Sequence, residues 1–135
     1  MSKKLGLPAA AALSIVVFLS TFPGCARTLK CENFVEKNRK CSEEIADFVR
    51  EMKKKERGDI TGEGEISASF KEYLDRVGRE TANVFSGPRF QENCESILKE
   101  DSSDASKMKD CFKMVDCSDY VKCIMEIKDI SQNLL

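Results

Sequence analysis

The chain has no histidine and no tryptophan, only two tyrosines and three prolines, and no surplus of either charge: 22 basic against 23 acidic side chains in 135 residues, a formal net charge of −1. Each shortage excludes something. Without histidine there is no Ser-His-Asp or Cys-His activation of a nucleophile, no imidazole ligand for zinc or haem, and no side chain whose ordinary pKa lies near neutrality. Without an excess of Lys and Arg there is no electrostatic footprint for nucleic acid. The strongest apolar run, Ala9 to Leu19, falls well short of the roughly 20 residues that a membrane-spanning helix needs. What remains is a chain long enough for one small domain, with seven cysteines to brace it.

The first 24 residues read as an address. Lys3 and Lys4 are followed by an uncharged stretch from Leu5 to Phe22 and then by Pro23-Gly24-Cys25, the layout of a secretory signal peptide. Every other charged side chain lies beyond residue 24, which makes the exported part mildly acidic.

Gly24-Cys25 resembles the lipobox of bacterial lipoprotein precursors, in which a small residue precedes a cysteine that receives diacylglycerol before the signal is removed. Phe22 and Pro23 stand where that family usually has Leu and a small residue. The resemblance implies lipidation of Cys25, a short tether over residues 25–30, and attachment to a membrane of the bacterial cell envelope, the outer one ahead of the inner. The rival is ordinary signal peptidase cleavage after Ala26, since Gly24 and Ala26 supply the two small residues such enzymes inspect. It would release a soluble secreted protein beginning at Arg27, such as a helical lipid carrier or an inhibitor.

Both outcomes remove Cys25 from disulfide chemistry and leave Cys31, Cys41, Cys94, Cys111, Cys117 and Cys123. An even number of cysteines in an exported chain indicates three disulfides.

From residue 31 to 135 the pattern is helical. Thr28 can cap a first helix that runs to about Arg57, with Cys31, Phe34, Val35, Cys41, Ile45, Phe48, Val49 and Met52 at spacings of three and four. Lys53 to Arg57 complement the dipole at its end, and Gly58 can close it. Residues 59–65 read as a loop. A second helix fits Ile66 to Phe85 and ends at Ser86-Gly87-Pro88, where the proline is suited to open a third helix carrying Phe90, Cys94, Ile97 and Leu98. A fourth uses Ala105, Met108, Cys111, Phe112 and Val115. A fifth, capped by Asp116 or Ser118, uses Tyr120, Cys123, Ile124 and Ile127. No segment shows the period-two alternation of a half-buried strand. The expected fold is all-α, a small disulfide-stapled bundle of four to five helices.

On one helix Cys31 and Cys41 are about 15 Å apart along the axis and turned by about 80°, so both can face the same neighbour but cannot bond each other. Steps of six residues rotate by about 240°, so Cys111, Cys117 and Cys123 cannot share a face unless the helix breaks, which is expected at Asp116-Cys117-Ser118-Asp119. An antiparallel arrangement would pair Cys31 with Cys123, Cys41 with Cys111 and Cys94 with Cys117. It is one of fifteen connectivities, among which sequence does not select. At least one bond must join the first helix to the C-terminal part.

The opening Cys31-x-x-Phe34, then Cys41, Met52 after an amphipathic helix, and cysteines near the C-terminus are similar to small helical cysteine-rich lipoproteins of bacteria that lack an assigned activity. The resemblance implies location and fold, not chemistry. No cysteine pair has the two-residue spacing of a thiol redox centre or a zinc knuckle. Glu43 with Glu44, Glu63 with Glu65, and Asp101 with Asp104 are acidic pairs that read as helix starts and solvated faces, without the pattern of a calcium loop. Lys53 to Arg57 could meet anionic headgroups, or simply end a helix in solvent. The expectation is a non-enzymatic protein with no catalytic residue, metal or cofactor, whose partners are a membrane, through the anchor, and an envelope protein or small apolar ligand.

Overall fold

In the computed structural model, which describes residues 29–57 and 66–135, every regular element is a helix. Among the described residues there are seven: α1 (Cys31–Lys40), α2 (Ser42–Arg57), α3 (Ala68–Phe85), α4 (Pro88–Lys99), α5 (Ser103–Phe112), α6 (Cys117–Met125) and α7 (Lys128–Leu134). Thr28, Gly58 and the expected loop at 59–65 lie outside the described residues.

Local chemistry sets most of the boundaries. The Ser67 hydroxyl accepts from the Phe70 amide at 3.3 Å to start α3, Ser102 accepts from Ala105 at 3.2 Å to start α5, and the Asp116 carboxylate accepts from Asp119 at 3.1 Å to start α6. Pro88 occupies the first turn of α4, where its missing N–H removes no helical bond. The second helix therefore begins at Ala68 rather than Ile66, because Ser67 is the better cap.

The helix count exceeds the expected four to five for two reasons. The expected first helix bends at Cys41, whose backbone (φ −100°, ψ 23°) leaves the helical region although the Cys41 amide still bonds Lys37 O and its own carbonyl still accepts from Ile45. No glycine or proline marks this point; Cys41 is where the chain is bonded to α6. The second reason is α7, which follows a turn at Glu126 and continues the same three- and four-residue spacing with Ile127, Ile130 and Leu134. The C-terminal break also falls earlier than expected, over residues 113–116, so that Cys117 opens α6.

A single core gathers one face of each helix. Phe34, Ile45, Phe85, Phe90, Cys94, Met108, Cys111, Tyr120, Ile124, Ile127 and Ile130 are all at 0 % exposure within it. Around this core α4 holds α7 by its side chains, with Arg89 donating to Asn133 O at 3.0 Å and Asn93 to Asp129 O at 3.2 Å.

Helices α2 and α3 lie against each other, and Gly78 makes their approach possible. A methyl group there would sit 3.0 Å from the Ala46 carbonyl oxygen and 3.3 Å from the Ala46 Cβ. The helix backbone of α2 cannot yield locally to a larger side chain. Gly78→Val is expected to lower stability by about 1–3 kcal/mol despite the better helix propensity of valine, read from a thermal melt.

Candidate functional site

Cys25, the expected lipidation site, lies outside the described residues, as do the signal segment 1–24, Ala26 and the Glu63/Glu65 pair. The other six cysteines are joined in three disulfides, as expected, but the pairing differs from the antiparallel one. Cys31 bonds Cys94, Cys41 bonds Cys117, and Cys111 bonds Cys123. The bend at Cys41 is the physical reason. It turns the two halves of the expected first helix toward different neighbours, α4 for Cys31 and α6 for Cys41. The break at 113–116 then folds α5 back on α6, which brings Cys111 to Cys123. The requirement that one bond tie the first helix to the C-terminal part is met by Cys41–Cys117.

Between two of these bridges stands the loop Lys113-Met114-Val115-Asp116. Val115 is 96 % exposed and Met114 is 37 % exposed, so the expected place of Val115 on the buried face of the fourth helix is corrected. The helix ends at Phe112 and Val115 is left beyond it. Lys37 reaches across from α1 and donates to Phe112 O at 2.7 Å and to Met114 O. Its ammonium also lies 4.9 Å from the Phe112 ring centre and 4.7 Å from that of Tyr120. Burial pulls the Lys37 pKa below the ordinary lysine value. The open carbonyls at the C-terminal end of α5 and the two ring faces act the other way and favour the cation. Lys37→Met, which keeps the length of the stem, is expected to destabilise the domain by about 1–2 kcal/mol. Amide hydrogen exchange should show faster exchange at residues 113–116 than elsewhere in the variant.

Beside Lys37 lies the one fully buried polar side chain among the described residues, Asn38. Its amide donates to Phe85 O at 2.8 Å, and its carbonyl oxygen accepts from the Tyr120 hydroxyl at 2.7 Å. Both groups of Asn38 are therefore satisfied, as burial demands. Burial also pushes the Tyr120 phenol well above its ordinary value. The cluster is a structural joint between α1, α3 and α6. It has no opening to solvent through which a substrate could reach it, since both side chains are at 0 % exposure.

An open groove lies elsewhere. Glu44, Asp47, Phe48, Glu51, Met52 and Lys55 form one stripe of α2, and with Ser118, Val121 and Lys122 of α6 they line a groove of about 450 Å³. That volume falls in the range of small-molecule sites. The floor is Phe48, Met52 and Val121, and the charges stand at the rim. The Asp47 carboxylate takes an Arg50 hydrogen bond at 2.5 Å, and Glu51 takes one from Lys54 at 2.7 Å. Both acids are well exposed, at 70 % and 61 %. They are solvated, charge-paired carboxylates.

The remaining sequence candidates disperse. Glu43 and Glu44 occupy the first turn of α2, and Asp104 that of α5. Within the basic run, Lys53 bonds Glu56 at 2.8 Å, Lys54 bonds Glu51, and the Arg57 guanidinium lies 4.1 Å from the Phe70 ring centre. No group of three metal-ligating side chains occurs among the described residues, and no helix among them is long and apolar enough to cross a membrane.

Two features were not singled out from sequence. Phe48 and Met52 belong to the apolar stripe of α2 but are only half-buried, and the signal was the row of acids at Glu44, Asp47 and Glu51 along its edge. Asn38 interrupts the spacing Phe34, Cys41, Ile45 with a polar side chain on the core face, which is itself a mark of a buried hydrogen-bonded joint. No family model matches the chain, and no curated protein and no solved structure matches it.

Proposed function

We propose that this chain is an exported lipoprotein of the bacterial cell envelope, held at a membrane through acylated Cys25, whose helical domain acts by binding and not by catalysis. The observation that carries the reading is the disulfide set. Three intrachain bonds consume every cysteine beyond residue 25, so this chain has no cysteine left with which Cys25 could pair. Three disulfides in so small a domain also fit an oxidising compartment. Two or more acyl chains on the Cys25 residue would give stable anchoring where one would not. The binding role rests on the groove between α2 and α6, which has an apolar floor and solvated rim charges instead of activated ones.

Metabolic labelling with palmitate tests the anchor. Label is expected on the wild-type chain and not on Cys25→Ser. An unlabelled wild type with a mature mass that begins at Arg27 would replace this reading with that of a soluble secreted protein. Label that persists in Cys25→Ser would refute the site.

A further inference from the structure

We infer that the groove between α2 and α6 is a binding site for a single-chain amphiphile with an anionic head, such as a fatty acid or an alkyl phosphate. The inference gives a ligand class to the binding role proposed above and does not depend on the anchor. Three observations converge on it. The first is shape. From Glu44 to Lys55 is eleven residue steps along one helix, about 16 Å, and the groove runs along that stripe. An extended chain advances by about 1.2 Å per bond, so the trough accommodates an alkyl chain of about twelve carbons.

The second is the floor. Phe48 and Met52 lie one turn apart on α2, both half-buried, and line the groove above the buried Val121 of α6. They are the apolar side chains of α2 that the core does not fully cover, since Ile45, Ala46 and Val49 are buried. An unbranched chain can lie along them, and methionine adapts its side chain to such a guest. The third is charge. Of the rim residues, Asp47 is paired with Arg50 and Glu51 with Lys54. Lys55 and Lys122 form no ion pair among the described residues, and both are exposed. The one acid of the rim without an ion pair, Glu44, stands at the end of the α2 stripe opposite Lys55. The rim charges left without an ion pair are thus two cations, Lys55 on α2 and Lys122 on α6, against the single acid Glu44, an excess that favours an anionic head.

The test is calorimetric titration of the full-length exported chain with octanoate, decanoate, dodecanoate and hexadecanoate, each below its micelle concentration. Affinity is expected to rise by about two- to fourfold per added methylene up to about twelve carbons and then to level off. Dodecyl phosphate should bind like dodecanoate, which would show that the site reads the charge and not one particular head, and dodecyltrimethylammonium should bind at least tenfold more weakly. In the exposed double variant Lys55→Glu/Lys122→Glu, dodecanoate should lose at least tenfold while neutral dodecyl maltoside is unaffected. Met52→Gln, whose partly exposed side chain leaves the core intact, should weaken all of these ligands together. No binding at any chain length, affinity independent of chain length, or a preference for the cationic head would overturn the proposal. Binding that follows the expected pattern in a chain that takes no palmitate at Cys25 would remove the anchor alone. A labelled chain whose groove binds nothing would remove the site alone.

Discussion

Removing the Cys41–Cys117 bridge, as Cys41→Ala/Cys117→Ala, should lower the stability of the oxidised domain by about 4 kcal/mol and its melting temperature by about 15–20 °C. The estimate follows from chain entropy. The bond closes a separation of 76 residues, against 63 for Cys31–Cys94 and 12 for Cys111–Cys123. The longer the loop closed, the more freedom is withheld from the unfolded chain, so the C-terminal bridge should contribute least, about 3 kcal/mol. Alanine is the right replacement because Cys41 is 2 % exposed and a serine hydroxyl there would be buried without a partner. Circular dichroism melts of the double variants under non-reducing conditions give the order. A C-terminal double variant that melts below the Cys41/Cys117 one would contradict the entropic account, and a peptide map that links Cys31 to Cys123 would contradict the pairing itself.

Much of this architecture was legible because the signals were local. Pro88 opens α4, Asp116 caps α6, and the apolar spacing of α3 runs unbroken to Phe85, each decided by residues within one or two turns. The bend at Cys41 was not legible, because nothing in Arg39-Lys40-Cys41-Ser42 disfavours helix strongly. It is a tertiary feature, fixed where the chain is bonded to a helix 76 residues away, and together with the earlier break at 113–116 it changed all three expected pairings. α7 was hidden for the opposite reason, since Ile124, Ile127 and Ile130 keep the helical period straight through the turn. The groove was half legible. Periodicity assigns Phe48 and Met52 to the apolar face of α2, but whether the neighbouring helix covers that face depends on where α6 begins, and so on the position of the 113–116 break.

The second large effect is expected at Asn38. Asn38→Ala should cost about 3–5 kcal/mol, because it strands the Phe85 carbonyl and the Tyr120 hydroxyl in the core and leaves a void among them. Tyr120→Phe leaves only the Asn38 carbonyl oxygen unpaired and should cost about 1–3 kcal/mol. Since the two side chains share one hydrogen bond, of 2.7 Å, the double variant should be less destabilised than the two single costs together. Urea titrations of the three variants give this coupling, and strict additivity would mean that the bond contributes nothing. An alkaline pH dependence should accompany it. The folded Tyr120 phenol is held above its ordinary value by burial, so in the unfolded chain it ionises near pH 10 while in the native state it stays neutral. The unfolded state thus binds fewer protons above that pH. The stabilisation is complete below about pH 10 and is lost above it, by up to about 1.4 kcal/mol per pH unit. Unfolding in urea at pH 8 and pH 11 should show this loss in the wild type and a smaller one in Tyr120→Phe. Equal losses in the two proteins would mean that another group governs alkaline unfolding. The contrast with the groove is one of access: the Tyr120 hydroxyl is closed within the core, whereas Lys55 and Lys122 stand exposed at the surface, where an anionic head can find them.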